Sequence, residues 1–234
     1  MTLERGPSLT DQAAQEIRAR IVRGVFQLGE PLSEITLANE LGVSKTPVRE
    51  ALMQLKRQGL VEVHPQRGTF VFDMNAQQVE KLSQLREVLE TAALRLALAS
   101  RRKALGAAWS RIVGQMRAAL DGGDVEHYRV LDGGFHKALF ELAGNPYLEE
   151  AFELISFRIQ ALRSRLSLDP ELNTSSFDEH VRLAEMTRAG KTEEVEALLV
   201  DHIDATRGHY LAALGDTAAA TLPLQKPRRR PAES

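Results

Sequence analysis

The sequence predicts a mainly α protein in two parts, three helices closed by a β-hairpin followed by an all-helical bundle. Three observations carry that prediction. Apolar residues recur at helical spacing through most of the 234 residues. Only 5% of the chain is aromatic, while Leu and Ala recur throughout, which favours helix over sheet. A single β-branched alternation, Leu60-Val61-Glu62-Val63-His64, is followed by a turn and a return strand. The composition, 43% hydrophobic and 26% charged, is that of a folded chain. It contains no cysteine, which excludes disulfides, Cys-based zinc fingers, iron–sulfur clusters and thiol catalysis. No apolar run reaches the length of about 18 residues that marks a transmembrane helix. Met1-Thr2-Leu3-Glu4-Arg5-Gly6-Pro7 lacks the apolar core of a signal peptide, so the expectation is a cytoplasmic protein with no membrane partner.

Residues 10–24 place Ala13, Ile17, Ile21 and Val22 on one stripe, with Thr10 as the expected N-cap and Gly24 as the break. Ser33 opens a short helix with Ile35, Leu37, Ala38 and Leu41 apolar, stopped at Gly42. Ser44 is placed to cap a third helix near 45–58, with Val48, Ala51, Leu52 and Leu55 inward and Gly59 at its end. Pro65-Gln66-Arg67-Gly68 then turns the chain into Thr69-Phe70-Val71-Phe72. This order is that of a winged helix-turn-helix. Six helical segments are expected beyond it, near 75–103, 105–121, 124–144, 146–167, 174–189 and 192–214. Breaks are expected at Gly122-Gly123, Gly144-Asn145-Pro146, Asp169-Pro170 and Gly190. The predicted domains are a head over 1–72, a helical domain over 73–215 and a basic tail over 216–234. The tail carries Pro227-Arg228-Arg229-Arg230-Pro231 and is expected to be disordered.

The formal net charge of −2 is uneven. The head carries 9 basic and 8 acidic residues, the helical domain 17 and 22, and the last 19 residues 4 and 2. Any case for nucleic-acid binding therefore rests on where the cations sit.

Leu32-Ser33-Glu34, Leu37-Ala38, Leu41-Gly42-Val43-Ser44-Lys45-Thr46-Pro47-Val48-Arg49-Glu50-Ala51-Leu52, Leu60-Val61 and Arg67-Gly68-Thr69-Phe70-Val71 resemble the GntR family of bacterial transcription regulators. The match covers about residues 10–72. A recognition helix enters the major groove by its N-terminus, so short polar and basic residues there reach phosphates and base edges. Ser44, Lys45, Thr46 and Arg49 occupy that end, and Arg49 suits bidentate contact to guanine. The resemblance implies that these positions touch DNA and that Arg67 and Gly68 bring the wing to the minor groove. Ile35 stands where some relatives carry a DNA-contacting arginine, and no contact is assigned to it.

Four residues of the helical part have the chemistry of a metal site. Asp132 and His136 are four apart on one helix and share a face, and His180 and His202 lie on two later helices. Imidazole and carboxylate suit Zn²⁺ above all, with Ni²⁺ or Mn²⁺ as alternatives. His209 competes for a place in the set, while His64 and His127 fall outside it. A lone interior histidine is more often a hydrogen-bonded core residue than a ligand, so a polar core is the alternative reading of these four.

Leu85-Arg86-Glu87-Val88-Leu89-Glu90, Asp132-Gly133-Gly134-Phe135-His136, Ala143-Gly144-Asn145-Pro146-Tyr147-Leu148, Glu179-His180 and Asp201-His202-Ile203 resemble the FCD ligand-binding domain of the FadR-type branch. That resemblance implies a divalent metal held by Asp132, His136, His180 and His202, with a small carboxylic acid effector completing its coordination. Arg86 is the candidate effector-binding cation; the alternative is an intrahelical pair with Glu90. Arg158, Arg163 and Arg165 are weaker candidates. The expected protein is a homodimeric, metabolite-responsive repressor reading a pseudo-palindromic double-stranded operator, with no catalytic residues. The alternatives are a metal sensor without an organic effector and a metalloenzyme fused to a DNA-binding head.

Overall fold

The computed structural model describes residues 6–166 and 170–220, without the side chains of 165, 166, 170–172 and 216–220. The head begins with α1 (Leu9–Arg23), capped by Ser8 rather than Thr10. The Asp11 backbone N–H donates to Ser8 Oγ (3.1 Å) and Asp11 returns a carboxylate to the Ser8 N–H, a closed capping box that Thr10 has no partner to form. Thr10 instead donates its hydroxyl to Glu50 (2.8 Å). Helix α2 (Glu34–Leu41) starts on a Ser33 side-chain cap, and α3 (Lys45–Arg57) follows the left-handed Gly42 turn. Ile17, Ile21, Val48, Ala51, Leu55 and Leu60 close the head's core.

The wing is the antiparallel pair β2 (Val61–His64) and β3 (Gly68–Val71), as the alternation predicts. A further strand, β1 (Pro31–Leu32), pairs with the other edge of β3, giving the order β1-β3-β2. Two residues are too short a run to show period-2 patterning, so this strand is invisible in the sequence.

The helical domain comprises α4 (Ala76–Asp121), α5 (Val125–Ala143), α6 (Pro146–Leu166), α7 (Pro170–Ala189) and α8 (Thr192–Ala220). The two segments expected before Gly122, 75–103 and 105–121, are the two halves of α4, which meet at a kink at Arg101 (φ −136°, ψ 28°), a few residues before the expected break. No proline interrupts this stretch, and α7 passes close to Gly106, where a Cβ would lie 2.9 Å from Arg188 Cγ. Just past the kink, Arg102 Nη1 donates to the Thr187 and Arg188 carbonyls (3.0 Å each), covering the last carbonyls of α7. Asn145 caps α6 by accepting from the Tyr147 and Leu148 N–H groups, with Pro146 as the first helical residue. Helix α7 starts at Pro170, four residues before the expected 174, and α8 continues to Ala220, past the expected 214. The rest of the expected tail, 221–234, lies outside the described residues. Trp109 is buried, stacks on Phe135 (4.4 Å between centroids) and donates Nε1–H to the Phe135 carbonyl, locking α4 to α5.

The head docks on α6. Arg158 Nε donates to the Gly59 carbonyl (2.7 Å), and the Arg18 guanidinium lies over the Phe157 ring (4.6 Å). Arg23 pairs with Glu126 of α5 (3.1 Å). No described helix is long and apolar enough to cross a membrane.

Candidate metal centre and nucleic-acid interface

The bundle brings His136 of α5, His180 of α7 and His202 of α8 together in its interior, all buried, with one ligand nitrogen from each within 4.8 Å of the others. His136 Nε2 and His180 Nε2 are 3.5 Å apart, a spacing compatible with both nitrogens lying about 2.0–2.1 Å from one ion. Two of the rings are backed by carboxylates. Glu90 accepts from His136 Nδ1 (2.7 Å), and Glu179 accepts from His202 Nδ1 (2.6 Å). A carboxylate on one ring nitrogen fixes the tautomer and leaves Nε2 as the lone-pair donor, as metal-ligating histidines require. His180 Nδ1 is buried with no hydrogen-bond partner among the described residues.

The charges around the rings are set by burial. Burial holds the His136 imidazole down at about 4 and pushes His180 well below its ordinary value, so both are neutral, the state that binds metal. Burial alone would raise Glu90, but Arg86 and His136 together hold its carboxyl far below the usual range. Asp132 is likewise held down, chiefly by Arg163, against its own burial.

Asp132 is less committed to the set than the three histidines. Its Oδ1 lies 3.5 Å from His180 Nε2, while its other oxygen is taken by Arg163 of α6. Arg86 makes the intrahelical pair with Glu90 that the sequence offered as the alternative to effector binding, and it also reaches His136. Its Nε donates to Glu90 Oε1 (2.7 Å), and its Nη2 lies 3.0 Å from His136 Nε2. A metal and Arg86 would therefore compete for the same lone pair. Beside the rings is a cavity of about 30 Å³ lined by Tyr128, Asp132, Arg163, Asn173 and His202 among others, room for a water or two. His209 lines that cavity without joining the cluster, and His64 and His127 are exposed and outside it. The Arg165 side chain lies outside the described residues. Sequence reasoning missed Glu179 and ranked Arg163 low. The signal for Arg163 was a charged residue on the buried stripe Phe152, Ile155, Ile159 and Leu162, where a cation needs a partner.

In the head, Ser44, Lys45, Thr46 and Arg49 are exposed together at the start of α3. Ser44 sits at the N-cap without a side-chain cap bond. Arg67 and Gly68 are exposed at the tip of the wing, where Gly68 adopts φ +109°. Arg49 has a partner that the sequence did not reveal: its guanidinium forks onto the Glu34 carboxylate of α2 (Nη2–Oε2 2.9 Å). Ile35 is exposed.

Residues 9–71 match the family described as bacterial regulatory proteins, gntR family, and residues 81–205 match the FCD domain. The HTH-type transcriptional repressor RspR of Escherichia coli strain K12 is 29% identical over 167 residues, covering 70% of this chain and 73% of that one. The gluconate operon transcriptional repressor of Bacillus subtilis strain 168 is 27% identical over 174 residues, covering 72% and 71%. The crystal structure of a GntR protein from Rhodococcus sp. RHA1 superposes with a TM-score of 0.79 at 23% identity, over 88% of this chain and 99% of that one, and shows the fold. These relatives point to a regulator of transcription and away from an enzyme. The chain belongs to the GntR family of bacterial regulatory proteins, in the branch whose helical half is an FCD domain.

Proposed function

We propose that this regulator is a homodimeric repressor whose helical domain holds one divalent metal, Zn²⁺ or alternatively Ni²⁺ or Mn²⁺. Its ligands are His136, His180 and His202, with Asp132 as the fourth. The observation that carries this reading is the trio of buried, neutral imidazoles, two of them backed by carboxylates. When bound, the metal supplies a Lewis acid on which an anion can be recognised. Around it, Glu90 and Glu179 orient the rings and Arg163 positions Asp132. The head, over about 1–72, reads a pseudo-palindromic operator. Ser44, Lys45, Thr46 and Arg49 enter the major groove, and Arg67 with Gly68 brings the wing to the minor groove. The helical domain, over about 73–215, forms the dimer.

Two outputs are open to that centre. A small carboxylate effector would meet Arg86 at the metal, displacing the Arg86–His136 contact. The cavity of about 30 Å³ favours the second reading, a sensor for which the ion itself is the signal. Metal analysis of gently purified protein, followed by operator binding with and without Zn²⁺, tests the proposal. About one ion per chain is expected, lost in His180→Ala. Metal-free protein whose melting temperature does not respond to Zn²⁺, Ni²⁺ or Mn²⁺ would overturn it. A change of operator affinity on adding metal alone would favour the sensor reading over the effector one.

A further inference from the structure

Helix α3 packs inward through Val48, Ala51, Leu52 and Leu55. Its opposite face carries Thr46, Arg49, Met53 and Arg57, exposed or nearly so and spaced three, four and four apart, which stacks them along one stripe. Among the described residues of α3, Met53 is the one large apolar side chain left exposed, at 44%. It stands one turn past Arg49 and one turn before Arg57, so the face that begins with the polar start of the helix continues through a thioether. With Arg49 and Arg57 it lines an open groove of about 490 Å³ between α3 and α1, whose far side is Thr10 and Asp11. The polar groups around it are engaged within the head. Glu50 accepts from the Thr10 hydroxyl (2.8 Å), Asp11 closes the Ser8 capping box, and Arg49 reaches Glu34. Met53 alone on this stripe has nothing in the head to pack against that removes it from water.

We propose that Met53 reads a thymine through its 5-methyl group, at a base pair about two steps from the guanine that Arg49 faces. This rests on the entry of α3 into the major groove proposed above. A recognition helix lying in that groove holds its outward stripe against the base edges. Those edges offer donors and acceptors at every base pair and one kind of apolar group, the thymine methyl. Against a cytosine or guanine edge, Met53 would strip water from polar atoms and return only a weak acceptor. Against thymine it buries a methyl group on a flexible thioether chain that adapts to the contact. The spacing follows from the helix. Four residues advance about 6 Å along its axis, and successive base pairs lie about 3.4 Å apart. Arg49 and Met53 therefore read neighbouring positions by different chemistry, the first by paired hydrogen bonds and the second by apolar contact.

The test starts from a duplex that the full-length protein selects out of random-sequence DNA. Its thymines are replaced one at a time by uracil, which lacks only the 5-methyl group, and binding is followed by fluorescence anisotropy. At one thymine in each half-site, uracil should weaken binding about fourfold, the loss expected from one methyl group no longer buried. Met53→Gln should bind the thymine and uracil duplexes equally, while Met53→Leu, still apolar, should go on discriminating between them. Both variants lie off the core of the head, so their melting temperatures should match that of the unchanged protein. If no thymine responds to uracil, or the response persists in Met53→Gln, the proposal is overturned. Arg49→Ala separates that failure from a failure of the α3 placement. Reduced affinity in Arg49→Ala beside intact discrimination in Met53→Gln removes Met53 alone. Full affinity and unchanged sequence preference in both variants would remove α3 from the groove as well.

Discussion

Arg49 carries two demands on one guanidinium. In the free protein it is held by Glu34, and on DNA it would face a guanine edge; the exposed Glu34–Arg49 pair is weak enough to exchange. Arg49→Ala is expected to cost on the order of 1–3 kcal/mol of operator binding and to relax specificity at one base pair per half-site. Glu34→Ala should raise affinity for specific and random duplexes alike, by freeing a cation. Fluorescence anisotropy on both duplexes checks the pair, and a Glu34→Ala variant with unchanged affinity would show that the fork is irrelevant to DNA. At the histidines, the sign follows from burial. His136 and His180 bind protons more weakly folded than unfolded, so the unfolded state takes up protons first as the pH falls. Metal-free protein should therefore keep its stability above pH about 6.5 and lose it progressively toward pH about 4. Bound Zn²⁺ should raise the melting temperature above that window and be lost within it. A flat melting profile from pH 7 to 4 would count against neutral buried imidazoles. Residue types and the four-residue spacing made the four candidate ligands legible. Their partners were not, because Glu90 meets His136 across 46 positions and Glu179 meets His202 across 23, separations that only the packed bundle closes.

Elements were legible where a local signal marks them. The Gly42 turn, the wing and the Asn145-Pro146 start all follow from short-range chemistry. The break between the two halves of α4 was expected near 104 and falls at the Arg101 kink. Strand β1 was not legible, because it exists only where β3 offers it an edge. One of the links between head and bundle is at Gly59, whose carbonyl accepts from Arg158 Nε. It sits at φ +68°, and a Cβ there would lie 1.9 Å from Arg158 Nη2. Gly59→Ala must therefore bear left-handed strain of about 1–2 kcal/mol and also expel Arg158 from its bond to the Gly59 carbonyl. The head should loosen from α6 before either half unfolds, seen as faster amide exchange around residues 55–60 and α6, with the metal content unchanged. Arg158→Ala, which removes the clash, should restore part of the stability of Gly59→Ala. Full additivity of the two changes would show that the contact does not hold the head.

At the scale of the whole molecule, the helical domain carries an uncovered apolar stripe. Leu85, Val88 and Leu96 of α4 are exposed at positions that fall on one helical face, and Tyr147 and Leu154 of α6 are seven apart on another. Several large apolar side chains left in water on neighbouring helices are costly in a monomer, which supports this face as the dimer surface. A two-fold dimer would place two heads on two half-sites, and linking them raises the effective concentration of the second head to the millimolar range. Val88 is the cleanest probe, at 65% exposed and clear of the core, so Val88→Asp should leave the fold and the metal content intact. The variant should sediment as a monomer at concentrations where the unchanged protein is a dimer. Its affinity for the full operator should fall about a hundredfold or more, with little change on a single half-site. The head's near-neutral charge makes that loss visible: 9 basic against 8 acidic residues give one head little nonspecific grip to compensate. A Val88→Asp protein that remains dimeric, or a monomer that binds the full operator undiminished, would move the interface off this face.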